Sequence, residues 1–536
     1  MRAMVSAPQP EAVEAALDVL KAGGSVVDAA ITGAFVQTAV DPQMCGIAGF
    51  GSCHIRLADG THRIVDFHGR APKAATPEMW EPLIVRECDD GFGFVLKGEV
   101  NEIGHQSATT PLTLRAFDDI LSRYGTLSIA EAIAPAIVYC EEGFAVRPHV
   151  HGFWSRGPDN GRIPRYRGLS DNPATAKIYL HPDGRMRAVG EVLRNPDMGR
   201  TYRRIAEHGV EDFYTGAIAR EIAADMAAHG GLIAMDDLAD CRSEETAPIW
   251  TTYRGRKVAT NQPPGGGLVI AIMLNILERF DLAAMGHNSP DYIATVSEAM
   301  KIATAQKDAR IGDPAFVDIP FEELLSDEYA DAMAARIRRG EKTSVPRLNT
   351  GYVSKETTHI CVADAAGNCV TMTHSIGSSS GVVTEGLGFM YNNCMMVFDP
   401  RPGRAGSLAP GKARFTALSP TIVFGENGSD EPWLLLGAPG GTTITMGNLQ
   451  AILNAVDFGM TAQEAVHAPR FTTTSDTIEV TNRILRSTER ELQARGYPTL
   501  RHAQSYMMPT VHAIRLQDGK LDGGADPSGD GMAAGV

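Results

Sequence analysis

The residues best suited to chemistry lie in one stretch, from Glu356-Thr357-Thr358-His359 to Thr373-His374-Ser375. It reads as two Thr- and Val-rich strands around a short Ala/Gly/Asn turn. Hydroxyls and imidazoles recur on both arms, and these are the side chains that acyl transfer uses as nucleophile and proton carrier. The pairing register decides which of them meet. A loop of Ala365-Ala366-Gly367 sets Thr357 opposite Ser375 and diagonal to Thr373. A two-residue loop sets Thr357 opposite Ile376 and turns Ser375 to the other face. By pattern alone this is an ordinary Thr-rich hairpin of open register.

Other strings that look chemical fail on context. Gly46-Ile47-Ala48-Gly49-Phe50-Gly51 has the spacing G-x-x-G-x-G and lies between a helix and a strand. That order is the reverse of the one that aims a helix N-terminus at a pyrophosphate. Gly377-Ser378-Ser379-Ser380-Gly381 matches G-x-S-x-G, but the residues after it, Val382 to Gly388, make a poor helix for a nucleophile elbow. No group of His, Cys or carboxylates has metal-ligand spacing, so neither a metal nor a cofactor is expected.

The elements that must position the hairpin can be read coarsely. Val13, Ala16, Leu17 and Leu20 recur at helical spacing after Pro10, and Gly23-Gly24 stops them. Ser25 with Asp28 reads as a capping pair opening a second, Ala-rich helix to about Ala39. Asp59-Gly60 marks a hairpin. From about Leu112 to Asp313 helical patterns dominate, with Leu268 to Phe280 apolar enough to be a buried helix. Arg336 to Ser354 has little periodicity and reads as a linker. Strands are expected at His359–Ala363, Cys369–Thr373, Leu387–Tyr391, Thr421–Phe424 and Trp433–Leu436. There is no internal repeat.

Composition bounds the rest. The 536 residues carry a formal charge of −15, which argues against a partner held by its own negative charge, such as nucleic acid or anionic lipid. No stretch approaches the roughly 18 apolar residues of a membrane span. The eight cysteines contain no C-x-x-C pair, and Met1 to Pro10 has no export-signal core. A cytoplasmic protein with reduced thiols is the expectation.

Thr357-Thr358-His359-Ile360-Cys361-Val362-Ala363-Asp364-Ala365-Ala366-Gly367-Asn368 resembles the start of the small subunit in the gamma-glutamyltranspeptidase family of N-terminal-nucleophile (Ntn) hydrolases. The resemblance runs along nearly the whole chain. It includes Ala22-Gly23-Gly24-Ser25-Val26-Val27-Asp28-Ala29-Ala30, Glu298-Ala299-Met300-Lys301, Leu418-Ser419-Pro420-Thr421, Gly437-Ala438-Pro439-Gly440-Gly441 and Gly524-Ala525-Asp526-Pro527, in the family's order. It implies a four-layer αββα sandwich made as a precursor that cuts itself between Glu356 and Thr357. The large segment, 1–356, and the small segment, 357–536, would stay associated as one intertwined fold, and a homo-oligomer is compatible with this. Thr357 would be the nucleophile, with its own freed α-amino group as base, a group that ordinarily titrates at about 7.7–8.0. Ser375 would hydrogen-bond the nucleophile. Gly440 and Gly441 would donate N–H groups to the oxyanion.

The departures concern the acyl pocket. Where the family binds the glutamyl α-carboxylate with an Arg, this chain has His68, with Arg70 two residues on. A paired Ser-Ser becomes Thr416-Ala417. The acidic residue that receives the substrate ammonium becomes Val397, and a nearby Gln becomes Cys394. An ammonium buried against Val and Cys is unpaired and costs several kcal/mol, roughly 2–7 by transfer scales for polar groups and more for a charge. The expectation is therefore an amidohydrolase or acylase for a small-molecule amide whose acyl group lacks the ammonium. His68, Arg70, Thr416 and Thr373 are the substrate-binding candidates. Two alternatives stay open: a true gamma-glutamyltransferase or glutathione hydrolase that reads the head group through Arg70, and an unprocessed, non-catalytic member.

Overall fold

The computed structural model describes residues 2–91, 93–347, 357–506 and 509–536. Two antiparallel sheets face each other at its centre. The first has seven strands in the spatial order Met532–Gly535, Ala3–Ala7, Thr358–Asp364, Cys369–Ser375, Phe50–Arg56, His62–Phe67 and Glu244–Thr246. The second has six: Lys520–Ala525, His512–Gln517, Pro432–Gly437, Thr421–Phe424, Arg256–Thr260 and Ile249–Tyr253. Each sheet takes strands from both sides of position 357, so neither part could complete a sheet alone.

Helices cover both outer faces, completing the expected αββα layers. Pro10–Lys21, Val26–Val40, Ile129–Glu142 and Pro196–His208 bury their apolar stripes in one core with the first sheet. Gly267–Leu277, Pro290–Arg310 and Ile444–Asp457 do so with the second. The Ser25–Asp28 pair is a reciprocal capping box, and Val26–Val40 is buried along its whole length. Between the sheets lies a layer of apolar residues, among them Cys361, Ala363, Ile422 and Leu435. Close approach is enforced at Gly437, where a Cβ would run into the His359 ring.

Three expectations need correction. Leu387–Tyr391 is not a strand, because Gly386 and Gly388 take φ of +82° and +76° and break the extended run, leaving only an isolated Val383–Met390 bridge. The stretch read as helical contains Glu244–Thr246, Ile249–Tyr253 and Arg256–Thr260, strands of three to five residues that are too short to show a clear alternation among the surrounding helices. The linker begins later than expected, since Asp327–Arg338 is helical.

Candidate active site

The hairpin takes the three-residue loop. Thr358 pairs with His374 and Ala363 with Cys369, and Gly367 supplies the turn at φ +84°. That register brings Thr357 Oγ1 to 3.2 Å from Ser375 Oγ, which also accepts from Gly377 N–H at 2.9 Å. Gly377 sits at φ +68°, and a Cβ there would run into Asn393 Oδ1, so a side chain is excluded twice over. Glu356 lies outside the described residues.

The strand is anchored just behind Thr357. Gln37, on the buried helix Val26–Val40, donates to Thr358 Oγ1 at 2.9 Å and to the His359 carbonyl at 3.0 Å. Its carbonyl oxygen accepts from His374 Nε2 at 2.9 Å. His359 instead points between the sheets, with Nδ1 2.8 Å from Thr373 Oγ1. Burial holds both imidazoles neutral, pushing His374 down to about 3 and His359 well below its ordinary value. Neither is a useful base at neutral pH.

These histidines make a prediction about stability. His54 and His62, stacked on the first sheet, are also pushed down by burial, His62 to about 4. Above about pH 6.5 these groups are neutral in both folded and unfolded chains, and their contribution is complete. As pH falls below that, only the unfolded chain takes up the protons. Stability then declines by about 1.4 kcal/mol per pH unit for each such histidine until the folded values are reached. Chemical denaturation at pH 5 should show uptake of several protons on unfolding that is largely absent at pH 7, and His374→Gln should remove about one of them.

A cavity opens at Thr357 and Ser375. Gly377, Asn393, Cys394, Val397, Thr416 and Gly441 line it, together with Arg414. The strand Pro432–Gly437 runs into Gly440 and Gly441, at φ +153° and +56°, and from there into the helix Ile444–Asp457. The N-terminal end of that helix, with Ile444, thus faces the cavity and offers it a positive dipole end.

The expected substrate residues divide. Thr416, Cys394 and Val397 are at the cavity. Thr373 is not, because its hydroxyl is engaged by His359 in the inter-sheet layer. His68 and Arg70 line a neighbouring, larger cavity of about 400 Å³. Arg70 there pairs with Glu244 and Asp313 and donates to the Gly411 carbonyl at 3.1 Å, so its charge is already compensated. His68 is buried with Nε2 3.4 Å from Asp66.

The cation beside Thr357 is one that sequence reasoning missed. Arg414 is 7% exposed, lies 4.4 Å over the Phe50 ring, and donates to the Phe415 carbonyl at 3.1 Å. Nη2 lies 3.6 Å from Cys394 Sγ, and Nε has no hydrogen-bond partner among the described residues. No acidic side chain among the described residues lines this cavity. The available signal was position: Arg414 lies two residues before Thr416, in a segment already expected at the acyl pocket. Among the described residues, one group of side chains could hold a metal, His105, Asp225 and His229, and none of the three lines the Thr357 cavity.

Comparison with known proteins places the chain in a family. The family described as Gamma-glutamyltranspeptidase matches residues 12–536. The chain is 37% identical to the "Acylase ACY 1 proenzyme" of Pseudomonas sp. (strain V22), covering 100% of this chain and 94% of that one. It is 31% identical to the "Glutathione hydrolase proenzyme" of Escherichia coli (strain K12), covering 99% and 91%. Among solved structures, a cephalosporin acylase from Bacillus halodurans superposes with a TM-score of 0.87 at 31% identity, covering 99% of this chain and 95% of that one. With the αββα layers, the Thr-led hairpin and the glycine pair all in place over this length, the chain belongs to the gamma-glutamyltranspeptidase family of Ntn hydrolases.

Proposed function

We propose that this self-processing amide-bond hydrolase is an acylase for substrates whose acyl group ends in a carboxylate and carries no ammonium. Thr357 is the nucleophile and Arg414 the partner of that carboxylate. The observation that carries the reading is the charge content of the cavity: one buried guanidinium and, among the described residues, no acidic side chain. A buried cation without a counter-charge costs several kcal/mol, and a substrate carboxylate offsets that cost in a way an ammonium cannot. The family relatives with the printed names acylase and cephalosporin acylase make the side-chain amide of a cephalosporin one substrate within this class.

The chemistry follows from the neighbours of Thr357. Cleavage after Glu356 frees the Thr357 α-amino group, which takes the proton of its own hydroxyl as the oxygen attacks the amide carbon. The carbonyl oxygen becomes an oxyanion held by the N–H groups of Gly440 and Gly441. The C–N bond then breaks, the amine leaves with the proton, and an ester on Thr357 remains. Water hydrolyses that ester by the same route. Ser375 holds the attacking oxygen in line, so Ser375→Ala should lower kcat about 10- to 100-fold, the equivalent of one lost hydrogen bond in the transition state. Unchanged kinetics would remove it from the site.

A matched pair of substrates tests the reading. Glutaryl-p-nitroanilide and gamma-glutamyl-p-nitroanilide differ only by the α-ammonium. The glutaryl compound should have the higher kcat/KM by at least about 100-fold, the equivalent of about 2.7 kcal/mol, which is less than an unpaired buried ammonium costs. Equal turnover, or a preference for the glutamyl compound, would make this a glutathione hydrolase in substrate choice and overturn the proposal.

A further inference from the structure

Away from the Thr357 cavity, three side chains from distant parts of the chain converge. Asp225 lies on the helix Ala217–Ala228, His229 caps its end, and His105 comes from the short turn His105–Ser107. His105 Nε2 is 3.3 Å from Asp225 Oδ2, and His229 Nδ1 is 2.9 Å from Asp225 Oδ1. The two rings stack with centroids 4.6 Å apart at 15°. Thr384 donates to Asp225 Oδ2 at 2.6 Å, from the segment that follows the strand Cys369–Ser375.

We infer that His105, Asp225 and His229 form a binding site for a divalent transition-metal ion such as Zn2+. Bonds of about 2.0–2.1 Å in a tetrahedron put neighbouring ligand atoms about 3.3 Å apart, and one ligand atom from each of these three side chains already lies within 4.8 Å of the others. Two imidazoles and one carboxylate are the donor set that borderline ions take, and the exposure of His229 leaves water to complete the shell. His229 Nδ1 is also 3.0 Å from the Asp225 carbonyl. Thr384 donates to the same carboxylate oxygen that His105 faces, fixing its orientation. The ion would clip the helix Ala217–Ala228 to the turn at His105, whose neighbour Gly104 donates to the Ser380 carbonyl at 2.9 Å. Its role is structural, outside the acyl-transfer chemistry. Sequence spacing conceals the site, because His105 and Asp225 are 120 residues apart.

The test is calorimetric titration of ZnCl2 into the full-length protein after treatment with EDTA, with Tm followed in parallel. One equivalent should bind and raise Tm in a concentration-dependent way. His229→Ala removes an exposed ligand without disturbing the core. It should weaken binding by at least the roughly 10- to 100-fold seen when a mere outer-shell partner is lost, and abolish the Tm shift, with amide hydrolysis unchanged. His208→Ala, an exposed histidine elsewhere, should behave as wild type. Absence of stoichiometric binding, or identical titrations for wild type and His229→Ala, would overturn the inference. Because activity is not the readout, its failure is distinct from failure of the acylase reading.

Discussion

Thr357→Ala should give one full-length species of about 57.4 kDa on denaturing mass spectrometry, and no turnover of any amide. The wild-type protein should give two species, the smaller beginning at Thr357. Both losses have one cause. In the proposed mechanism, the hydroxyl 3.2 Å from Ser375 is the atom that attacks its own chain first and the substrate later. The neighbouring groups do not replace it: Ser375 lacks an α-amino base, and His359 and His374 are held neutral by burial with no appreciable basicity at pH 7. Deleting the nucleophile of an acyl-transfer enzyme costs a factor on the order of 10^6 in kcat. Thr357→Ser should retain cleavage and part of the rate, since it keeps the hydroxyl and loses only the methyl that restricts its rotamer. Turnover by Thr357→Ala above the uncatalysed rate would end the mechanism. A single species from wild type would mark the protein as a stalled precursor.

Arg414→Leu should be selective rather than general in its damage. For glutaryl-p-nitroanilide, kcat/KM should fall about 10²- to 10³-fold, because truncating one member of a buried charge pair typically costs about 2–5 kcal/mol. For butyryl-p-nitroanilide, which has no distal carboxylate, kcat/KM should change little or rise. The free protein should be no less stable, since the substitution removes a buried cation with no carboxylate beside it among the described residues of the cavity. Arg414→Lys should fall between, as an ammonium cannot reproduce the forked contact with a carboxylate. Equal losses on both anilides would mean that Arg414 only supports the cavity wall against Phe50 and the Phe415 carbonyl.

Much of the site is legible in the chain itself. Thr357, Ser375, Gly440 and Gly441 stand in local motifs, and the structure groups Thr357, Ser375 and Gly441 around one cavity with Gly440 adjacent. The replaced acyl-pocket positions, Val397, Cys394 and Thr416, are there too. Arg70 is misplaced by sequence reasoning for a reason that sequence does not carry. Its charge is already spent on Glu244 and Asp313, which lie 174 and 243 residues away. Arg414 escapes such reasoning because its meaning depends on what surrounds it, and the lack of a counter-charge is a property of three-dimensional space.

What the sequence determined by itself is whatever short-range physics determines. The capping box at Ser25 and Asp28, the turn at Gly367 and the largely apolar helix after Gly266 are local choices of backbone and burial that neighbouring residues enforce. Even the hairpin register was narrowed to two options, which differ by a single loop residue. Choosing between them fell to the tertiary structure. Gln37 grips Thr358 and His374 together, and Phe50–Arg56 pairs along the whole of Cys369–Ser375, so a slip would turn every buried side chain to the wrong face. Which cations are free to meet a substrate, and which three ligand atoms meet around Asp225, was likewise decided by long-range packing. Charge compensation and metal-ligand geometry act over a few ångströms, and the chain brings such neighbours together from hundreds of residues apart.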